Sequence, residues 1–146
     1  MYKVVINDSF YNSWDYYEVS SLKKVQFDFS PLEFKLYTND IFNIENNKPV
    51  LFHSYVKQSK NNAGILCLDK TYGSNNKKLF YKCIPNDKRL PHVLLPYAIK
   101  NNFSKKIVHK YVLFEYKQWN NKHPEGIINE TLGNVDDLPF YYNYLL

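Results

Sequence analysis

The apolar segments of this chain consist almost entirely of β-branched and aromatic residues. The 146 residues include 14 Tyr, 10 Phe and 2 Trp, whereas alanine occurs only at Ala63 and Ala98. Alanine is the best helix former, while Val, Ile, Tyr and Phe fit the pleated surface of a sheet. The sequence therefore predicts a mostly β protein.

Nine apolar segments bounded by Asn, Asp, Gly, Ser or Pro clusters are predicted to be strands. They are Tyr2–Ile6, Asp15–Val19, Lys24–Phe29, Val50–Val56, Gly64–Leu68, Leu79–Ile84, Val93–Ile99, Ile107–Trp119 and Gly126–Thr131. The segment Pro31–Ile44 fits a short helix as well as a strand, so both alternatives stay open for it.

A change in charge near residues 57–63 predicts a division of the chain. Residues 1–60 have seven Lys and seven acids, and residues 61–146 have twelve Lys or Arg and seven acids. We predict an N-terminal β-rich extension over residues 1–60. The last five predicted strands lie in residues 61–146 and have the number that a five-stranded OB-fold Greek-key barrel requires.

Positive charge and aromatic rings are concentrated together between Lys70 and Lys122. This stretch has twelve Lys or Arg and only two acids, Asp87 and Glu115, giving a local net charge of +10. Cations neutralise phosphates and rings stack on bases, so the pattern predicts a surface for single-stranded nucleic acid. The candidate nucleic-acid-binding residues are Lys70, Tyr72, Lys77, Lys78, Phe80, Lys82, Lys88, Arg89, Lys117, Trp119 and Lys122.

An ordered signature lies within the same stretch. It consists of Tyr81–Pro91 with Pro85, Asp87 and Arg89, then Trp119, then Lys122–Gly126, and then Leu132-Gly133. The signature resembles the cold-shock-like OB domain that precedes the catalytic domain of ribonuclease II and ribonuclease R (RNB-type) 3′→5′ exoribonucleases. The resemblance covers roughly residues 63–135. The chain departs from the family pattern at Asn120, where the family usually has Pro after the Trp, and at His109-Lys110, where a Gly is common.

The resemblance implies a module that holds single-stranded RNA and guides it to a catalytic domain. Family catalysis resembles two-metal hydrolysis by clustered aspartates, and we expect Mg²⁺ only in that domain. Asp136-Asp137 is the only adjacent acidic pair of the sequence, and such a pair in a loop usually faces solvent. We therefore expect no catalytic residue, metal site or cofactor in this chain, although an active nuclease stays an alternative.

Several candidate residues have a structural alternative. Phe80 is either a stacking platform flanked by lysines or a buried side chain whose neighbouring lysines extend to solvent. Arg89 either contacts phosphate or bridges Asp87 or Asp136. Trp119 either closes the barrel or stacks on a base, and the former is favoured because large rings at strand ends usually fill the core.

A protein-docking role is the alternative function. Aromatic residues cluster near the N-terminus, and together they are sufficient for an interface with a catalytic RNB chain. They are Phe10, Tyr11, Trp14, Tyr16 and Tyr17. Cys67 and Cys83 have no ligand or disulfide spacing, and the dispersed His92, His109 and His123 show no metal spacing.

The expected location is intracellular and cytoplasmic, because no signal peptide or membrane-length apolar run is present. The segments Tyr2–Asp8 and Thr38–Phe42 resemble the leaders of such proteins in large DNA viruses, which would place the protein in a host cytoplasm or a virion.

Overall fold

The computed structural model describes residues 1–75, 78–99 and 108–135. Two compact units are present. The first consists of Met1–Gln58 and Lys88–Pro91, and the second consists of Ser59–Asp87 and the described residues from His92 onward. The sequence placed one division after residue 60, whereas in the structure the chain returns to the first unit at Lys88–Pro91.

The first unit is a five-stranded antiparallel sheet with the strand order β3-β2-β1-β4-β5. Its elements are β1 (Tyr2–Ile6), β2 (Trp14–Glu18), β3 (Lys24–Val25), β4 (Ile41–Glu45), β5 (Lys48–His53) and the short helix α1 (Tyr55–Gln58). The segment Pro31–Ile44, for which the sequence allows a helix or a strand, begins with turns and enters β4 at Ile41. The β4–β5 hairpin has Asn46 and Asn47 as its loop, both with positive φ, as a two-residue primed turn requires.

Aromatic rings fill the core of this first unit. The Tyr16 ring contacts Phe27, Phe29 and Phe42 at centroid distances of 5.3, 5.2 and 5.9 Å. Its hydroxyl donates a hydrogen bond to the Phe29 carbonyl at 2.9 Å, so the ring is buried with its polar atom satisfied. Tyr11 is buried in the same way, with its hydroxyl 2.6 Å from the Leu36 carbonyl.

The prediction that the N-terminal aromatic residues form an exposed docking surface is therefore wrong. Tyr11 and Tyr16 are core residues, Trp14 and Tyr17 are half-buried, and only Phe10 is well exposed, at 68%. Alternation along β2 explains the difference, because successive side chains point to opposite faces of a strand. A cluster that is dense in the sequence is divided between the two faces of the sheet.

Asp40 is a buried carboxyl in the first unit. Its Oδ2 accepts a hydrogen bond from the Tyr37 N–H at 2.9 Å, while Oδ1 is buried without a hydrogen-bond partner. Burial raises the pKa of Asp40 to about 6, and the Ser54 hydroxyl, the Tyr37 N–H and the charges of Lys57 and His53 oppose this shift. The carboxylate is consequently an unfavourable charge near neutral pH.

We expect the Asp40→Asn substitution to remove a pH dependence of stability. Because the folded-state pKa lies above the ordinary value, the stabilisation is complete below about pH 4 and is lost as the pH rises through about 6. Wild type should lose about 2–3 kcal/mol of unfolding free energy over this range relative to the Asn variant. Urea unfolding followed by Trp14 fluorescence, in a Trp119→Phe background, reports on the first unit. Parallel pH profiles for the two proteins would contradict this account of Asp40.

The second unit is a closed five-stranded barrel with the strand order β10-β8-β7-β6-β9. Its strands are β6 (Asn62–Asn75), β7 (Lys78–Pro85), β8 (Val93–Tyr97), β9 (Lys110–Gln118) and β10 (Glu125–Asn134). The predicted mostly β class with an OB-type barrel is confirmed. The strand β6 is much longer than its predicted counterpart, and register shifts interrupt its pairing with β7 between Cys67 and Thr71 and again before Ser74.

Apolar residues from four of the five strands fill the interior of the barrel. Pairing across β6, β7 and β8 puts Leu66, Cys83 and Val93 on one face, and all three are fully buried. From β9, Val112 and Phe114 are also fully buried. The free Cys83 thiol is one of these packing groups, and burial raises its pKa well above the ordinary value.

The barrel closes through the Pro124–Gly126 segment of the family-like signature. Glu125 pairs in parallel with Leu94 of β8, and the Leu94 N–H donates a hydrogen bond to the Pro124 carbonyl at 2.9 Å. Gly126 lies beside this point, where a Cβ atom would overlap the Glu115 carbonyl and approach Leu95 Cδ2 to 3.2 Å. Closure therefore requires a residue without a side chain at Gly126.

A second close approach explains the Pro85 end of the signature. Gly64 of β6 pairs with Pro85, and a Cβ atom at Gly64 would lie 2.6 Å from Cys83 Sγ and 2.8 Å from the Ile84 carbonyl oxygen. The neighbouring Asn86 N–H donates to the Ala63 carbonyl at 2.9 Å. The Pro85 part and the Pro124–Gly126 part of the signature thus both hold strands of the barrel together.

We expect Gly126→Ala to destabilise the barrel more than Gly73→Ala. The added methyl at Gly126 meets backbone, so at least about 3 kcal/mol should be lost, at the upper end of overpacking costs. Gly73 has open space around it and a φ of +99°, so its substitution should cost only the backbone strain of about 1 kcal/mol. Denaturant unfolding followed by Trp119 fluorescence measures both variants. Equal losses would show that crowding at the closure is unimportant.

Within the described ranges, no helix is long and apolar enough to cross a membrane.

Candidate nucleic-acid interface

A cluster of cationic and aromatic side chains lies on the barrel around Tyr72 of β6. The Nζ atoms of Lys70 and Lys82 lie 5.2 and 5.1 Å from the centroid of the Tyr72 ring, within the range of cation–π attraction. Lys82 comes from β7, on the face opposite Cys83. The two ammonium groups come from different strands and converge on one ring.

The irregular pairing of β6 creates this convergence. The register between β6 and β7 changes from Cys67↔Lys82 to Thr71↔Tyr81, which leaves additional β6 residues opposite a short length of β7. Such bulges bend a strand and redirect its side chains. Lys70 lies within this bulge and Tyr72 follows it, so both lie near Lys82.

The loop between β9 and β10 completes the cluster. The His123 ring lies 6.1 Å from the Tyr72 ring in an edge-on arrangement. In the same loop, Trp119 Nε1–H donates a hydrogen bond to the Lys122 carbonyl at 3.3 Å, which ties together the two ends of the turn. The half-buried Trp119 is compatible with both roles that the sequence allowed for it.

The pKa values of His92 and His123 are influenced both by burial and by the lysines of this surface. Burial lowers the pKa of His92, and the nearby charges of Lys82 and His123 lower it further. The pKa of His123 is likewise lowered first by burial and then by Lys82 and Lys122. Both imidazoles are consequently neutral at pH 7, and the lysines supply the positive charge. We refer to Lys70, Tyr72, Lys82, His92, Lys122 and His123 as the Tyr72 cluster.

The position of the Tyr72 cluster coincides with the ligand face of OB barrels. In that fold, the face of the second and third strands and the loops between strands 1–2 and 4–5 bind oligonucleotides. Lys82 lies on the second strand of this barrel, His92 immediately precedes the third, and His123 is in the loop between the fourth and fifth. The lysines of the cluster can neutralise phosphates, and its rings can contact the edges or faces of bases.

Phe80 is not part of an exposed platform. It lies on the same face of β7 as Lys82, but only 8% of its surface is exposed, so the stacking interpretation is wrong and the buried alternative holds. Lys78 is exposed at the beginning of β7. Lys77 lies outside the described residues.

Three other predicted residues are not among those that the structure groups around Tyr72. Lys117 pairs with Glu115 at 2.5 Å, so its charge is already partly neutralised. Lys88 and Arg89 are exposed, but they belong to the segment that groups with the first unit, where the Lys88 carbonyl accepts a hydrogen bond from the Ser9 hydroxyl at 2.9 Å. The structure therefore brings together Lys70, Tyr72, Lys82 and Lys122, with Trp119 adjoining.

Sequence reasoning missed the two histidines of the cluster because they are 31 positions apart. Their placement immediately before β8 and in the β9–β10 loop was the available signal, since these are ligand-face positions of an OB barrel. His109 has a structural role, because its Nδ1 accepts a hydrogen bond from the Leu68 N–H at 3.0 Å. Among the described residues, no group of three or more His, Cys, Asp or Glu could hold a metal ion.

We expect lysine substitutions to change the two histidine pKa values selectively. Lys82→Gln should raise the pKa of both His92 and His123, whereas Lys122→Gln should raise that of His123. Burial is the larger cause for each imidazole, so neither should return fully to its ordinary value. NMR titration of the imidazole Hε1 signals, assigned with His92→Gln and His123→Gln, measures this. A Lys82→Gln variant with unchanged titrations would show that the cluster is not assembled.

Residues 80–146 match the model of a family described as Dis3-like cold-shock domain 2 (CSD2). The match begins in β7 and covers the later strands of the barrel. No curated protein and no solved structure matches the chain. The family match and the closed five-stranded barrel agree on an OB fold of the cold-shock type, which is a fold of RNA-binding modules.

Proposed function

We propose that the barrel binds single-stranded RNA and guides it to an RNB-type 3′→5′ exoribonuclease domain. The observation that carries this proposal is the convergence of Lys70 and Lys82 on Tyr72, next to His123, on the ligand face of an OB barrel. The match to a Dis3-like cold-shock domain supports it, because such domains belong to the N-terminal region of RNB-type exoribonucleases.

Phosphate contacts supply most of the binding energy in this proposal. Lys70 and Lys82 place two ammonium groups beside the Tyr72 ring, and Lys122 adds a third in the loop of His123, while Asp69 is a carboxylate next to Lys70 in the sequence. Lysine binds phosphate as a point charge and distinguishes no base, so the affinity is tolerant of sequence. Three contacts to a single strand give a slope of roughly −2 for log K against log salt concentration.

Tyr72 has a supporting role in this proposal. Two ammonium groups already lie within cation–π range of its ring, which stabilises the lysines where phosphates approach. Base stacking then depends on the ring area that remains accessible, and on Trp119 in the adjoining loop. This arrangement favours passage of a strand along the surface over tight reading of each base.

The catalytic chemistry belongs to a partner domain or chain in this proposal. Hydrolysis by two metal ions would take place there, with Mg²⁺ held by its aspartates, and this barrel would contribute substrate delivery. In this proposal, the protein acts in the cytoplasm, and single-stranded RNA is the substrate of the partner domain. Direct contact with a catalytic RNB chain is the protein partnership that this role requires.

We expect Lys82→Gln to weaken binding of oligo-uridine about fivefold at low salt. One lost phosphate contact corresponds to about 1 kcal/mol, and it should lower the magnitude of the salt slope by about 0.7. Fluorescence anisotropy with a labelled ten-nucleotide RNA at several salt concentrations measures both quantities. Lys60→Gln is the matched control, because it removes the same charge from an exposed residue of the same unit outside the Tyr72 cluster.

The role of the ring is tested by a pair of Tyr72 variants. Tyr72→Phe keeps the cation–π surface and should retain nearly full affinity, whereas Tyr72→Leu removes it and should bind several-fold more weakly. Absence of binding at low salt, or an affinity independent of salt, would contradict the proposed function. Equal losses for Lys82→Gln and Lys60→Gln would move the binding site away from the cluster.

A further inference from the structure

A cavity of about 320 Å³ lies in the first unit, on the face of the sheet opposite its aromatic core. Residues that pair across neighbouring strands form its floor: Tyr17 is opposite Lys3, and Lys3 is opposite Ile41. The rim comes from the turn after β2, from Asn39 before β4 and from Tyr55 of α1. Its volume lies at the small end of ligand-binding sites.

The position of Lys3 gives this cavity a cationic group. Two neighbouring carboxyl groups on β2 have partners other than Lys3: Asp15 forms an ion pair with Lys24 at 3.0 Å, and Glu18, which also lines the cavity, accepts a hydrogen bond from the Ser20 hydroxyl at 3.1 Å. Among the described residues, the Lys3 side chain forms no ion pair or hydrogen bond. A half-buried ammonium group without a counter-ion favours an anionic ligand.

The remaining lining defines the rest of the ligand. Tyr17 and Tyr55 supply aromatic rings, and the Tyr55 ring, which contacts the His53 ring edge-on, is 57% exposed and therefore accessible to a ligand. The Glu18 carboxylate also lines the cavity and can accept hydrogen bonds from N–H groups. The ligand should therefore combine a negative group, a flat apolar body and N–H donors.

We propose that this cavity binds a nucleoside monophosphate, with the phosphate at Lys3 and the base against the tyrosine rings. The imino or amino group of the base would donate to Glu18. The same chemistry is present in a free mononucleotide and in the terminal nucleotide of an RNA chain. The proposal is independent of the Tyr72 cluster, because every lining residue lies within Met1–Gln58.

The test is titration of the full-length, ¹⁵N-labelled protein with UMP and AMP, followed by amide chemical shifts. We expect the shifts to concentrate at Lys3, Tyr17, Ile41 and Tyr55, with uridine and adenosine binding at least several-fold more weakly than the monophosphates. Lys3→Gln should weaken UMP binding about tenfold, the effect of losing one charge-assisted hydrogen bond. Lys48→Gln, on β5 of the same unit and outside the cavity, is the matched control.

A second variant distinguishes a loss of binding from a loss of the fold. Tyr55→Ala changes an exposed side chain in the four-residue helix, so the fold should persist while UMP affinity falls several-fold. In a Lys82→Gln background, shifts at the cavity with hexauridylate as well as UMP would identify an RNA end, and shifts with UMP alone would identify a free nucleotide. No cavity shifts at millimolar UMP, equal binding of uridine and UMP, or full affinity in Lys3→Gln would overturn the proposal.

Discussion

The second unit depends on one short contact between strands that are distant in the chain. The Leu94 N–H to Pro124 carbonyl hydrogen bond and the Glu125–Leu94 pairing close the barrel, and Gly126 permits the required approach. Closure removes the free sheet edges that five strands would otherwise expose. Closure also fixes the β9–β10 loop. His123 of that loop is thereby held near Tyr72 of β6 and Lys82 of β7.

The candidate site follows from this closure together with the bulged course of β6. Cations that repel one another are brought near a single ring, and the electron-rich face of Tyr72 partly offsets that repulsion. Burial lowers the pKa of the two histidines, and the same positive charges lower it further. This surface has an excess of positive charge, which the negative charge of a phosphate backbone would neutralise.

Strand positions were largely predictable because β-branched and aromatic runs between turn residues are a local signal. Tyr2–Ile6 is observed at its predicted bounds, and the barrel strands other than β6 lie within three residues of theirs. The predictions failed where local preference does not decide. Val50–Val56 is divided into β5 and the helix α1, and Lys88–Pro91 groups with the first unit, since long-range packing decides both.

The sequence alone determined the mostly β class, the OB-type barrel and the concentration of positive charge after Lys70, because these depend on residue type and order. Only the tertiary structure decided which cations act together. Phe80 and Lys82 share a face of β7, yet one is buried and the other joins Tyr72. His92 and His123 become neighbours of Lys82 only after closure. Burial and proximity depend on the packing of distant strands, which spacing along one strand does not encode.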